Sequence, residues 1–122
     1  MLKDSLYKIL SINNIADGIS YQISLLRDCP IYAAHFPGMP VTPGVCILQM
    51  MEELLADYTH KKVQTTAIKN ARFLSMLKPT DEVLDVNIFP VKQEDEKIKV
   101  QSTVMDSSGT IYAKIYIICN VV

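Results

Sequence analysis

Apolar and polar residues alternate along most of this 122-residue chain, and one stretch near the middle breaks the alternation. Over residues 6–13 and 19–26 apolar and β-branched side chains recur with a period near two, and "NIADG" between them carries the turn signal Asp17-Gly18. The pattern predicts a first β-hairpin. Further on, "VQTTAIKNARFLSML", "EVLDVNIFPV", "KIKVQSTVMD" and "TIYAKIYIICNVV" read as three or four long antiparallel strands. They are parted by Pro79-Thr80-Asp81, by the charged run "KQEDEK" and by Ser107-Ser108-Gly109. The last segment is apolar on both faces for much of its length, so its second face should also be covered, by helix, by a ligand tunnel or by a partner subunit.

The break lies between these two groups. Residues 27–43 contain Pro30, Pro37, Pro40 and Pro43, and because proline fixes φ and has no N–H, an irregular loop is expected there. Thr42 can cap a following helix with Pro43 at its first position, where the missing N–H costs nothing. The helix is predicted over residues 43–59. At about 100° per residue, Ile47, Leu48, Met51, Leu54, Leu55 and Tyr58 fall on one broad face. Gln49, Glu52, Glu53, Ala56 and His60 fall opposite. One helix of about four turns packed against a curved antiparallel sheet is an α+β layer arrangement. No repeat, low-complexity run or Gly/Ser linker marks a boundary, so residues 1–122 are expected to form a single domain.

Composition narrows the class of function. With 49% hydrophobic and 20% charged residues the chain can bury a core without disulfides or metal. A formal net charge of -1 offers no basic surface for nucleic acid. Cys29, Cys46 and Cys119 are an odd number without paired short spacing, and no N-terminal segment resembles a secretory signal, which points to a reducing cytoplasm. The apolar stretches fall short of the roughly 20 residues of a membrane span, so none is expected.

Candidate chemistry gathers at the loop and helix start. His35 stands before Phe36-Pro37-Gly38, and Gly44 lets a substrate carbonyl approach unpaired N–H groups at the helix N-terminus. A histidine near neutral pKa could remove a proton α to a carbonyl while the Gly44 N–H stabilises the developing oxyanion. The same histidine could instead be a loop residue hydrogen-bonded to backbone. His35 and His60 are the only histidines and show no metal-ligand spacing, so neither a metal nor a redox cofactor is expected. Cys46 near the helix start is a candidate thiolate, against the plainer reading of core packing.

The segment "HFPGMPVTPGV" resembles the H-F-P-G-x-P-x-x-P-G-V signature of the β-hydroxyacyl-acyl-carrier-protein dehydratases, and "IKNARFLSMLKPTDEV" resembles their I-x-x-x-R-F-x-x-x-x-x-P-G-D strand and turn. The resemblance implies a hotdog fold, a sheet wrapped around one central helix, with two subunits joined edge to edge. It also implies a substrate carried as a thioester on the phosphopantetheine of an acyl carrier protein, or on CoA, and no other cofactor. Carried over by position, His35 is the base at C2 and the Gly44 N–H polarises the thioester carbonyl, with Phe36, Pro43 and Val45 beside the substrate. The family's helix carboxylate, contributed across the dimer interface, falls at Gln49. A carboxamide can orient a hydroxyl or a water but cannot titrate near neutral pH.

Glu52 and Glu53, the nearest carboxylates on that helix, are expected to be solvated surface. Met50, Met51, Phe73, Leu74 and Met76 could line an acyl tunnel, with core packing the expectation for each. Lys61, Lys62, Lys69, Arg72 and Lys78 could steer an acidic carrier, or be ordinary surface charge. A homodimer is expected, with a heterodimer or higher assembly as alternatives. The functional alternatives are a non-catalytic or half-catalytic subunit that pairs with an active homologue, and a hotdog acyl thioesterase.

Overall fold

The structure is a computed structural model that describes residues 1–34 and 38–122, with the side chain of Val91 left aside. In chain order the elements are β1 (Tyr7–Ile15), β2 (Gly18–Leu25), α1 (Pro30–Ala34), α2 (Gly44–Thr59), β3 (Val63–Phe73), β4 (Leu84–Glu94), β5 (Lys97–Asp106) and β6 (Ile111–Val121). The strands form one antiparallel sheet in the order β1-β2-β4-β5-β6-β3, with β1 and β3 at its edges. It curves over α2.

The predicted hairpin is present, with Ile15 opposite Gly18 across a two-residue turn in which Asp17 takes φ 60°. Gly18 is required by its neighbour: a Cβ there would stand 2.1 Å from the carbonyl oxygen of Ile88. The charged run predicted as a separator is mostly strand, because β4 continues through Glu94 and β5 begins at Lys97, leaving Asp95 with φ 52° inside a tight turn. Its charges sit on the solvated ends of two strands, where polarity carries no information about the backbone. A further departure is α1, a single turn starting at Pro30 inside the predicted irregular loop. Proline at a first helical position removes no needed N–H, so Pro30 can open this turn.

Helix α2 begins one residue later than predicted. Pro43 is its N-cap, with φ −62° and ψ 144°, and no side chain caps it. Thr42 is buried and its hydroxyl is shared with Tyr32 Oη at 2.8 Å, so the threonine joins the loop to the helix entry. Ile47, Met50, Met51, Leu54 and Leu55 are buried on the helix. Opposite them the sheet presents Tyr21, Ile23, Val86, Ile88, Val100, Val104, Ile115 and Ile117, all nearly without exposure. Each fully buried aliphatic side chain of this kind contributes roughly 1.5–3 kcal/mol. Tyr58, placed by periodicity on the buried stripe, is 37% exposed because it lies at the helix end. Strand β6 runs between β5 and β3, its inward residues buried and its outward Tyr116 and Ile118 half-buried. No helix among the described residues is long and apolar enough to cross a membrane.

Candidate active site at the start of the central helix

His35 and Phe36, the expected base and its neighbour, lie outside the described residues. What surrounds the motif is placed: α1 ends at Ala34, and Gly38 takes φ 87°, which favours glycine. Gly44 opens α2. Cys46 and Ile47 N–H groups reach back to the Pro43 carbonyl at 3.0 and 3.2 Å, whereas the N–H groups of Gly44 and Val45 have no intrahelical acceptor by helix geometry. Val45 is 72% exposed. The helix start thus offers two N–H donors and the positive end of its dipole.

The Phe73 ring lies against Gly44, so closely that a Cβ at position 44 would meet its Cε2 and Cζ at 2.9 Å. Beside this contact is a cleft of about 390 Å³ with Val41, Ile47, Phe73, Leu74, Met76 and Leu77 in its walls. Two backbone bonds hold it: Thr42 N–H to Leu77 O at 2.8 Å, and Leu74 N–H to Tyr112 O at 2.8 Å. The five acyl-tunnel candidates therefore separate. Met50 and Met51 are core, as expected, but Phe73, Leu74 and Met76 are 47%, 45% and 55% exposed and line the cleft. Their apolar character resembles a core signal because a cleft wall and a core wall can be built from the same side chains.

Gln49 is exposed on the outer face of α2, and its Nε2 donates to Glu53 Oε2 at 3.1 Å. Glu53 is not the solvated residue expected. It also accepts hydrogen bonds from the Leu2 N–H at 2.8 Å, the Lys3 N–H at 2.9 Å and the Tyr7 hydroxyl at 2.9 Å. Burial pushes its carboxyl up, but the bonds from Leu2, Gln49, Tyr7 and Lys3 outweigh that and hold it below the ordinary glutamate range. Glu52 is likewise engaged, accepting from the Thr65 hydroxyl at 2.9 Å and its N–H at 3.3 Å. Sequence reading missed Glu53 because its partners, at residues 2, 3 and 7, are some fifty positions away. The i,i+4 spacing of Gln49 and Glu53 was the available signal.

Cys46 is half-buried, and burial, with Cys29 nearby, raises its thiol, which disfavours a thiolate at the helix start. The lysines and arginine proposed to steer a carrier are all exposed, but they are spread from Lys61 past the end of β3 to Lys78 rather than gathered. Since β3 alone spans about 35 Å, they do not make one patch. Asp81, in the turn after the cleft, pairs with Arg27 at 3.1 Å; both side chains are exposed, so the pair contributes little.

The sequence model of the ApeI-like family, described as ApeI dehydratase, matches residues 11–114. Curated relatives include the 3-hydroxyacyl-[acyl-carrier-protein] dehydratase FabZ of Fusobacterium nucleatum, 29% identical over 106 residues that cover 82% of this chain and 75% of that protein. The enzyme of the same description from Ralstonia nicotianae is 33% identical over 103 residues, covering 75% of this chain and 61% of that protein. In Clostridium acetobutylicum the corresponding match is 36% over 70 residues, so the chain spans about half of that relative, 50% of its length.

Among solved structures, the dehydratase heterocomplex ApeI:P from Xenorhabdus doucetiae superposes with a TM-score of 0.77 at 15% identity, covering 92% of this chain and 96% of that one. A hypothetical thioesterase with coenzyme A from Streptococcus pneumoniae gives 0.68 at 13%, covering 98% and 90%. At such identities the structures attest the shared hotdog fold alone. Together with a family match over most of its length, they mean that the chain belongs to the ApeI-like dehydratase family of hotdog proteins.

Proposed function

We propose that this chain is a subunit of a 3-hydroxyacyl-thioester dehydratase, eliminating water from an acyl chain carried on the phosphopantetheine of an acyl carrier protein or on CoA. The observation that carries the reading is the apolar cleft that Gly44 lines at the start of α2, where the first N–H groups of the helix have no intrahelical acceptor. An acyl chain fits the Leu74 and Met76 walls, and the thioester oxygen meets the helix start where enolate charge develops. His35 takes the C2 proton, the C–H electron pair becomes the C2–C3 double bond, and the C3 hydroxyl leaves. That hydroxyl needs a proton, which Gln49 cannot supply. The proton taken by His35 is returned to it, directly or through a water held by Gln49, so that water and the enoyl thioester are the products.

The half-exposed inner face of β3 supports an assembly of two subunits, and the family resemblance implies that residue 49 of one subunit serves the histidine of the other. The solved ApeI:P neighbour is a dehydratase heterocomplex, which supports a mixed pair as the second reading, in which a homologue supplies the carboxylate. A thioesterase reading is less favoured, because Glu52 is turned to Thr65 and Glu53 to the N-terminal segment.

The test follows enoyl and free-acid products from 3-hydroxyacyl thioesters of several chain lengths. His35→Ala is expected to lower enoyl formation by about 10²–10⁴-fold. Free acid as the sole product overturns dehydration in favour of hydrolysis. Enoyl product that forms only after Gln49→Glu, or only with an added homologous subunit, favours the mixed pair.

A further inference from the structure

We infer that Glu53 is a positioning residue that locks the carboxamide of Gln49 with its oxygen turned away from Glu53, so that the site receives a hydrogen-bond donor: the 3-hydroxyl of the acyl chain, or a water. The inference rests on the reading above that Gln49 faces the substrate. An asparagine or glutamine amide is ambiguous by itself, since rotation by half a turn exchanges an acceptor for a donor. Here the exchange is blocked. Both oxygens of Glu53 already accept, Oε2 from the Leu2 N–H and Oε1 from the Lys3 N–H and the Tyr7 hydroxyl. Gln49 lies one helical turn earlier with 3.1 Å between its Nε2 and Glu53 Oε2, and a flipped amide would set oxygen against oxygen.

Tyr7 ties the same carboxylate to the core, because its ring is fully buried and its hydroxyl donates to Glu53 Oε1 at 2.9 Å. The same contact accounts for an amide at position 49. A glutamate there could keep the bond to Glu53 only by sharing a proton with it, whereas the amide donates without one. The residue that departs from the family's pattern and the residue behind it therefore act as a pair. What the pair accepts is chemically defined: an O–H group fits, and a carbonyl or carboxylate at C3 does not.

The experiment has two arms, both on the assembled protein carrying His35→Ala so that bound thioesters are not turned over. In the first, the side-chain amide signals of Gln49 are followed by NMR in ¹⁵N-labelled protein and assigned by their loss in Gln49→Ala. They are expected to shift to free-amide positions in Glu53→Gln. In the second, affinities for 3-hydroxybutanoyl- and 3-oxobutanoyl-pantetheine are compared. The hydroxy ligand is expected to bind about tenfold tighter, the worth of one hydrogen bond, and Glu53→Gln to remove most of that preference.

Tyr7→Phe separates positioning from folding, since it takes one bond from the same carboxylate without touching Gln49. It is expected to lower the melting temperature and leave the hydroxy preference intact. If Tyr7→Phe moves the preference as much as Glu53→Gln does, Glu53 acts only through the fold and the inference fails. Gln49 signals that are unchanged by Glu53→Gln overturn the positioning role itself. Binding of neither thioester, with Gln49 signals that still depend on Glu53, instead overturns the dehydratase reading and the ligand assigned with it.

Discussion

Strands β2 and β3 turn similar residues toward the inside of the sheet, and those residues meet opposite fates. On β2, Ile19, Tyr21, Ile23 and Leu25 are at most 7% exposed. On β3, after a buried Val63, the inward Ile68 and Phe73 are 52% and 47% exposed. The buried face of α2 shares one core with residues of β2, β4, β5 and β6, whereas of β3 only Val63 joins it, close to where Glu52 holds Thr65. Register shifts after Thr65 and Ile68 further bend β3 from its neighbour. An apolar pattern therefore states which face turns inward. It does not state whether the same chain supplies the cover.

The comparison is most sharply tested by truncating one residue on each side. Leu54→Ala, in the fully buried face of α2, is expected to cost about 2–5 kcal/mol in urea unfolding. Phe73→Ala removes a larger side chain but is expected to cost only about 1–2 kcal/mol, since half of the ring is already in water. Equal costs would mean that Phe73 on β3 is covered as well as Leu54 on α2.

A smaller effect on folding but a clear one on assembly is expected from Ile68→Asp. The side chain is half exposed in the single chain, so unfolding free energy should change by about 0.5–1 kcal/mol. If a second subunit covers this face, sedimentation should show the wild-type assembly and a monomeric variant. A variant that stays assembled places the subunit contact elsewhere.

The smallest expected effect concerns the opposite side of the helix, where the N-terminal segment is tied to Glu53. Its folded pKa lies below that of the unfolded chain, so between the two values the unfolded state binds more protons and stability rises with pH. The contribution is fully present above about pH 4.3 and is lost as pH falls through the lower folded value. Unfolding free energy measured from neutral pH downward should thus fall less steeply for Glu53→Gln than for the wild type. Parallel curves would show that the carboxylate is not held in its charged form.

Much of the fold was legible because it depends on local rules. The turn at Asp17-Gly18, the length of the long helix and the strand segments follow from periodicity and turn chemistry, and the family resemblance supplied the hotdog arrangement. The helix cap was misread because Thr42 had two uses for its hydroxyl, and the partner that won, Tyr32, stands on a helix that local sequence did not reveal. Phe73, Leu74 and Met76 were misplaced in the core for a related reason, since hydrophobicity does not distinguish an interior from a cleft wall.

The sequence by itself determined the strand segments and the long helix, the glycine at the helix start and the amide at position 49. Those depend on residue type, backbone freedom and spacing. Only the tertiary structure decided that Phe73 rests on Gly44, that β3 is left half covered, and that Glu53 engages Gln49, Tyr7 and the first residues of the chain. Such contacts join positions far apart in sequence, and a carboxylate carries no local mark of which distant donors will converge on it.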